Sequence, residues 1–344
     1  MTFGVVEIRS AQPKLPGLWQ KQVVAIIIGL VIMFVVTKID YNRIFSLAPY
    51  LYGFGLFLLV LVLIPGVGKN INGNQNWIQF GPIGGQPSEL AKIFTLLMVV
   101  RYLAGIRERP LKLKPMVMAG AIWIVPTVLV YLENDTGSTL SYCSFFGALL
   151  FLSGLQWRWI LGGLAVASLA FYLAIPSIKA GTSYKTERLK AAWWPELAKK
   201  KYLYQYQQSS IAVGSGGQYG KGIGSGTQGP LGFVPEVHSD FIFAITGEET
   251  GFVGCILALS AYLIIIWRLI QTAQQARDRE GTLLVSGIVA LLLYHIAINV
   301  GMVLGFLPII GIPLPLMSHG GSSILGTLFA LGLCLSVGLR RFVN

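Results

Sequence analysis

Asp240 stands where the polar segment Pro235-Glu236-Val237-His238-Ser239 runs into an apolar stretch opening with Phe241-Ile242-Phe243. A carboxylate in that position is either a partner for a helix dipole or, held over a polar cavity, a general base. Glu248 and Glu249 lie deeper in the same stretch, where hydrocarbon tolerates no bare acid, so they must face protein or water. Glu89 and Lys92 sit at i,i+3 where another apolar stretch begins. Ser88 there reads as an N-cap, Glu89 as a dipole partner and the pair as a helix-face ion pair. Lys92, however, opposes the dipole at the edge of hydrocarbon, which suits a cation turned toward an anionic substrate. Asp135, in Glu133-Asn134-Asp135-Thr136-Gly137-Ser138, reads as a cap or as part of a site. His295 and Asn299 share a helix face at i,i+4. His238, His295 and His319 lack the spacing of a zinc site, and Cys143, Cys255 and Cys334 fall in separate apolar stretches without paired spacing.

The elements that must hold these groups are set by composition. Of 344 residues 54% are hydrophobic and 12% charged, against about 25% charged in soluble domains. That excludes a soluble enzyme. Apolar runs at 22–37, 47–64, 89–104, 115–132, 139–155, 159–176, 240–267, 282–304 and 321–339 are long enough to cross about 30 Å of hydrocarbon, and only helices satisfy their backbone there. The expected fold is therefore all-α, a polytopic membrane protein with nine complete transmembrane helices. The formal charge of +12 would raise nucleic acid as a partner of a soluble domain, but here topology accounts for it. Lys38 and Arg43, Arg101 to Lys114 (with Arg107), Arg158, Arg268 to Arg279, and Arg340 and Arg341 occupy alternate loops, expected to be cytoplasmic; the opposite short loops hold Lys69 alone. Nine spans with a cytoplasmic C-terminus put Arg9, Lys14 and Lys21 outside, against the rule. Phe3-Gly4-Val5-Val6 is accordingly expected to be the last turns of a partial first helix. Apart from Glu248, Glu249 and His295, the chemical groups then lie on the outer half, and a site built from them opens outward.

One long outer segment, 177–238, connects two spans. Its first part, with Arg188 to Trp194 and Lys199 to Tyr204, mixes basic and aromatic residues as an interfacial helix does. Its second, Gly214 to Gly226, is glycine-rich and irregular. Composition favours a flexible connector there; the sharper alternative is a backbone N–H surface for an anionic headgroup. The stretch Leu307-Pro308-Ile309-Ile310-Gly311-Ile312-Pro313-Leu314-Pro315 is apolar yet unable to form a helix, so protein or a cavity must cover it.

Asn76-Trp77-Ile78-Gln79-Phe80-Gly81-Pro82, Gln86 to Lys92, Gly226-Thr227-Gln228, Pro235 to Ala244 and Gly311 to Ser323 together, in order and over essentially the whole chain, resemble the SEDS family (shape, elongation, division and sporulation). The Gly214 to Gln228 stretch looks more like its elongation branch than its division branch. The resemblance implies ten membrane helices in one domain over 1–344, with 177–238 the outer loop between the seventh and eighth. It also implies a bacterial cytoplasmic-membrane enzyme, a peptidoglycan glycosyltransferase that polymerises lipid II, the undecaprenyl-pyrophosphate-linked disaccharide-pentapeptide. Its implied partners are a class B penicillin-binding protein (the crosslinking transpeptidase) and membrane lipids, with no nucleic acid. Asp240 is the implied catalytic residue, and Glu89, Lys92 and Asp135 are implied at the site; His238, Lys221 and Ser322 complete the candidate substrate-binding set. Glu133-Asn134-Asp135 and His319 depart from the family's usual Gln-Pro-Asp and Tyr. Such a reaction needs a base for a sugar hydroxyl and cations where pyrophosphate leaves; Lys92, Lys221 or a divalent ion such as Mg2+ would serve, with no organic cofactor. A lipid II flippase and a non-catalytic scaffold for the transpeptidase are the rival readings.

Overall fold

The computed structural model describes residues 1–11, 17–71, 74–80, 83–106 and 108–341; Lys14, Gly81, Pro82 and Arg107 of the sequence reading lie outside them. The chain is mainly helical: α1 (Thr2–Ala11), α2 (Leu18–Lys38), α3 (Tyr41–Leu63), α4 (Pro87–Ala104), α5 (Leu113–Leu132), α6 (Thr136–Leu152), α7 (Trp157–Ala180), α8 (Tyr184–Trp193), α9 (Lys200–Ser215), α10 (Ile242–Gln274), α11 (Arg279–Val303) and α12 (Gly321–Leu339). Each of the nine apolar runs is a helix, and the short helix α1 stands before the first of them, with Phe3 to Val6 inside it. Among the described residues seven helices, α2, α3, α5, α7, α10, α11 and α12, are long and apolar enough to cross a membrane by themselves. The protein is an integral membrane protein. Helix α6 has 17 residues, and α4 carries Glu89, Lys92 and Arg101.

The segment between α3 and α4, read from sequence as a plain loop, forms an antiparallel sheet in the order β1 (Gly68–Ile71), β2 (Asn74–Phe80), β3 (Ile83–Gly85). Lys69 pairs with Trp77 and Ile78 with Gly85. Period-2 alternation puts Asn76 and Ile78 on one face, where both are buried.

The chain forms two compact units. The first comprises Met1–Val23, Gln156–Leu263 and His295–Gly320; the second comprises Val24–Leu155, Ile264–Tyr294 and Gly321–Asn344. In the second, α4 is the central helix, packed by α3, α5, α6 and α12 and buried along most of its length, including Glu89 and Lys92. In the first, α7 buries no residue at all, as an apolar helix can do only in lipid.

The glycine-rich stretch is no loose connector. Helix α10 breaks at Gly251 (φ 67°, ψ −162°), and residues 217–222 fill the break. The Lys221 and Gly222 N–H groups donate to the Glu248 and Glu249 carbonyls, both at 3.0 Å, while Phe252 and Val253 donate to the carbonyls of Gly217 and Gln218 at 2.9 and 3.1 Å. Those are the groups that an unbroken helix would pair with one another at i,i+4, so the loop restores the ladder that the break opens. Two N–H groups of the stretch, those of Lys221 and Gly222, are thereby used. A Cβ at Gly251 would collide with the backbone of Gln218 and Gly220 and would hold a conformation that costs about 1–3 kcal/mol outside glycine. Gly251→Ala is expected to lower the thermal unfolding midpoint of the detergent-solubilised protein by several degrees; an unchanged midpoint would show that the break is not strained.

The first part of the segment forms α8 and α9 joined by a 3-10 turn at Pro195–Leu197. Not all of its basic residues face outward as an interfacial helix would place them. Lys190 is buried, 3.2 Å from Glu187, and donates to the Gly181 carbonyl at 2.6 Å. The Lys199 N–H, together with Lys190, holds the Glu187 carboxyl below the usual carboxylate range.

Candidate functional site

In the first unit, Asp240 lies two residues before α10, its N–H donating to the Glu236 carbonyl at 3.1 Å. Its own carbonyl accepts from Asn299 Nδ2 at 2.8 Å, and the same nitrogen donates to Ile312 at 2.7 Å. Asn299 is fully buried on α11, so one amide ties the segment before α10 to the proline-rich stretch 307–315, which forms a strap. A Cβ on Gly311 (φ +72°) would come within 3.3 Å of Asp240 Oδ2, which places the carboxylate directly over the strap. The strap is further held by the Tyr206 hydroxyl on the Leu307 carbonyl at 2.5 Å and by Tyr262 on Pro315. Gln22 donates to the Ser318 carbonyl at 2.9 Å and accepts from the Gly320 N–H at 3.3 Å. Gln22 escaped the sequence reading; a lone amide opening an apolar run was its only signal.

His238 and His319 face each other with ring centroids 5.6 Å apart, and the His319 N–H donates to the His238 carbonyl at 2.8 Å. Burial lowers the His238 pKa against the pull of Glu236. Burial, then His238 and Lys21, lower that of His319 to about 4. The unfolded chain therefore binds a proton below about pH 6.5 that the folded one refuses until about pH 4. The stabilisation from neutral His319 is present above pH 6.5 and is lost as pH falls toward 4. Unfolding midpoints are expected to drop across this window, and to drop less for His319→Phe; equal slopes would remove His319 from the acid response.

Lys221 and the Gly226-Thr227-Gln228 motif converge on Glu248, whose side chain is fully buried. Glu248 Oε1 accepts from Lys221 Nζ at 2.6 Å and from both the N–H and hydroxyl of Thr227 at 2.8 Å, and its Oε2 accepts from the Gln228 N–H at 3.1 Å. Ser10 donates to Glu249. Both intramembrane acids face protein, as the depth argument required.

In the second unit, Asp135 caps α6, Oδ1 accepting from the Ser138 N–H at 2.9 Å. It is also a hub, because Oδ2 accepts from Ser138 Oγ at 2.9 Å, Asn76 Nδ2 at 3.0 Å and Gln86 Nε2 at 2.6 Å. The sheet thus delivers Asn76, and the start of α4 delivers Gln86. Ser322 Oγ accepts from the Gln86 N–H at 2.9 Å. Ser88 is not the cap: the helix starts at Pro87 with Gln86 in the cap position, and Ser88 is buried inside the first turn. Lys92 lies 2.9 Å from Glu89 with side-chain exposures of 1% and 9%, so the expected ion pair forms out of water. Burial, with Asp135 adding to it, pushes the Glu133 carboxyl up to about 9, so it is neutral at pH 7.

Each unit gathers its own set: Asp240, His238 and Lys221 in one, Glu89, Lys92, Asp135 and Ser322 in the other. Among the described residues no three His, Cys, Asp or Glu side chains come together as a metal centre. A carboxylate can accept a proton, and buried polar hubs hold the segments that present it.

Comparison with known proteins follows the same lines. The profile of the cell cycle protein family of FtsW, RodA and SpoVE matches residues 5–341. Peptidoglycan glycosyltransferase MrdB of Escherichia coli (strain K12) is 36% identical over 341 residues, covering 99% of this chain and 91% of that protein. Peptidoglycan glycosyltransferase RodA of Treponema pallidum (strain Nichols) is 28% identical over 390 residues, 93% of this chain and 89% of that one. Among solved structures, the rod shape determining protein RodA of Thermus thermophilus superposes with a TM-score of 0.74 at 31% identity, covering 100% of this chain and 94% of that one. A chain from a peptidoglycan synthase complex, described for its structural coordination of polymerization and crosslinking, gives 0.85 at 31% identity, covering 100% and 95%.

Proposed function

The chain belongs to the cell cycle protein family of FtsW, RodA and SpoVE, the SEDS family, and from that premise we propose that it is a RodA-like peptidoglycan glycosyltransferase. It polymerises lipid II, with Asp240 as the general base. The observation that carries this reading is the placement of Asp240: its backbone is fixed by Asn299 and its carboxylate overlies the Gly311 strap at the start of a membrane helix. In the reaction a sugar hydroxyl gives its proton to Asp240 as its oxygen attacks the anomeric carbon of a second lipid-linked sugar. The bond from that carbon to the pyrophosphate oxygen breaks, and the undecaprenyl pyrophosphate departs with the electron pair. Lys221, anchored on Glu248, is the cation proposed to meet the departing charge from the same unit as Asp240. Glu89, Lys92, Asp135, His238 and Ser322 are the further residues proposed to bind the substrate.

The proposed setting is the bacterial cytoplasmic membrane, with the catalytic side outward, supported by the alternation of Lys and Arg between loops. The proposed partner is a class B penicillin-binding protein that crosslinks the product, supported by the likeness to a chain of a peptidoglycan synthase complex. Purified protein given fluorescent lipid II, with and without that partner, is expected to yield polymer sensitive to lysozyme. A folded preparation that moves lipid II between leaflets without polymerising it would replace this reading by the flippase. One that does neither yet binds the transpeptidase would replace it by the scaffold.

A further inference from the structure

A second site lies within the second unit, where the end of α2 meets the start of α3 and the end of α12. Here a cleft of about 520 Å3 is lined by Phe34, Val35, Lys38, Ile39, Asp40, Arg43 and Arg340. Its floor is apolar and open: Phe34 is 64%, Val35 49% and Ile39 41% exposed. Its rim carries three cations against the single carboxylate of Asp40. These cations are not spent alike. Arg340 is a structural clamp, donating to the carbonyls of Lys38 at 2.8 Å, Ser336 at 3.0 Å and Thr37 at 3.3 Å, with its Nε 3.8 Å from Asp40 Oδ1. Lys38 is exposed and lies 5.3 Å from the centroid of the Phe34 ring, its ammonium group above the apolar floor. Arg43, one helical turn from the cleft's acid, is exposed beside it.

Because α2 and α3 are both membrane-spanning and both end here, the cleft lies at a boundary between hydrocarbon and water. That is the level at which lipid phosphates sit, and cations above exposed apolar side chains match a phosphodiester above acyl chains. We propose that this cleft binds the phosphate headgroup of an anionic glycerophospholipid, Lys38 and Arg43 holding the phosphodiester while Phe34, Val35 and Ile39 carry the first part of its acyl chains. The clamp made by Arg340 keeps the three helix ends together, so the site is built before lipid arrives. It stands independently of the catalytic reading.

The test is lipid selectivity of the whole protein in bilayers of phosphatidylcholine and phosphatidylglycerol, read as the motionally restricted fraction of each spin-labelled lipid. Wild type is expected to prefer phosphatidylglycerol, and Lys38→Gln/Arg43→Gln to weaken that preference by up to about thirtyfold, each cation near an anionic surface contributing about fivefold. Lys112→Gln/Lys114→Gln, which removes equal charge from another exposed loop, is expected to leave the preference in place. Rising salt should erode the wild-type preference without any substitution, since an exposed phosphate contact is screened within about 10 Å at 0.1 M. Equal losses in both double variants would reduce the effect to general surface charge and overturn the site. So would an unchanged preference in Lys38→Gln/Arg43→Gln. Displacement of the lipid by soluble glycerol phosphate at matched concentration would assign the cleft to a free anion instead.

Discussion

Asp240→Asn is expected to cut polymerisation of lipid II by about 10²- to 10⁴-fold, the range carried by a single general base. The fold is expected to survive, because two hydrogen bonds that anchor this residue stay in place: its N–H reaches Glu236 and its carbonyl takes the Asn299 amide. Asparagine keeps the shape of the side chain but cannot take a proton. The loss should therefore appear in kcat, with KM for lipid II little changed, and partner binding should persist. Retention of more than about a tenth of wild-type polymerisation by folded protein would remove Asp240 from the chemistry. Asn299→Ala is the informative contrast. It releases both the Asp240 and Ile312 carbonyls at once, so it should lower activity with the carboxylate still present.

Lys92→Met is expected to destabilise the protein by about 3–5 kcal/mol, because it strands the Glu89 charge in a site where the lysine is 1% exposed. The double variant Glu89→Gln/Lys92→Met should recover most of that loss, since two neutral side chains no longer require a counter-charge. The measurement is a double-mutant cycle on unfolding in detergent, with polymerisation followed in parallel. A double variant that regains stability but not activity would assign the pair to substrate binding. One that regains both would leave it a structural ion pair. Lys92→Met with wild-type stability would mean that water reaches the pair and that its burial counts for little.

How much of this was legible in the chain depends on the distance over which each feature is decided. All nine apolar runs became helices, because hydropathy is a property of each residue and a backbone in hydrocarbon has one local way to satisfy its hydrogen bonds. Asp135 as a cap and Glu89 with Lys92 as an i,i+3 pair were equally readable, since both partners lie within one turn. Ser88 was misread within the same turn: Pro87 favours the first helical position, which moves the cap back to Gln86.

The features that hold the candidate site are of another kind. Asn299 reaches residues 59 and 13 positions away, Gln22 reaches one 296 positions away, and Thr227 meets Glu248 across 21. The glycine-rich stretch has the composition of a connector, yet its backbone completes the broken ladder of α10. By itself the sequence determined the membrane class, the helices, the family and the residues on which the chemistry is staked. Only the tertiary structure decided which buried acids are satisfied, which lysines are spent on them and how the strap under Asp240 is tied. A hydrogen bond between distant residues costs little to specify once both are packed together and cannot be specified before, because neither residue's own neighbours in the chain record it.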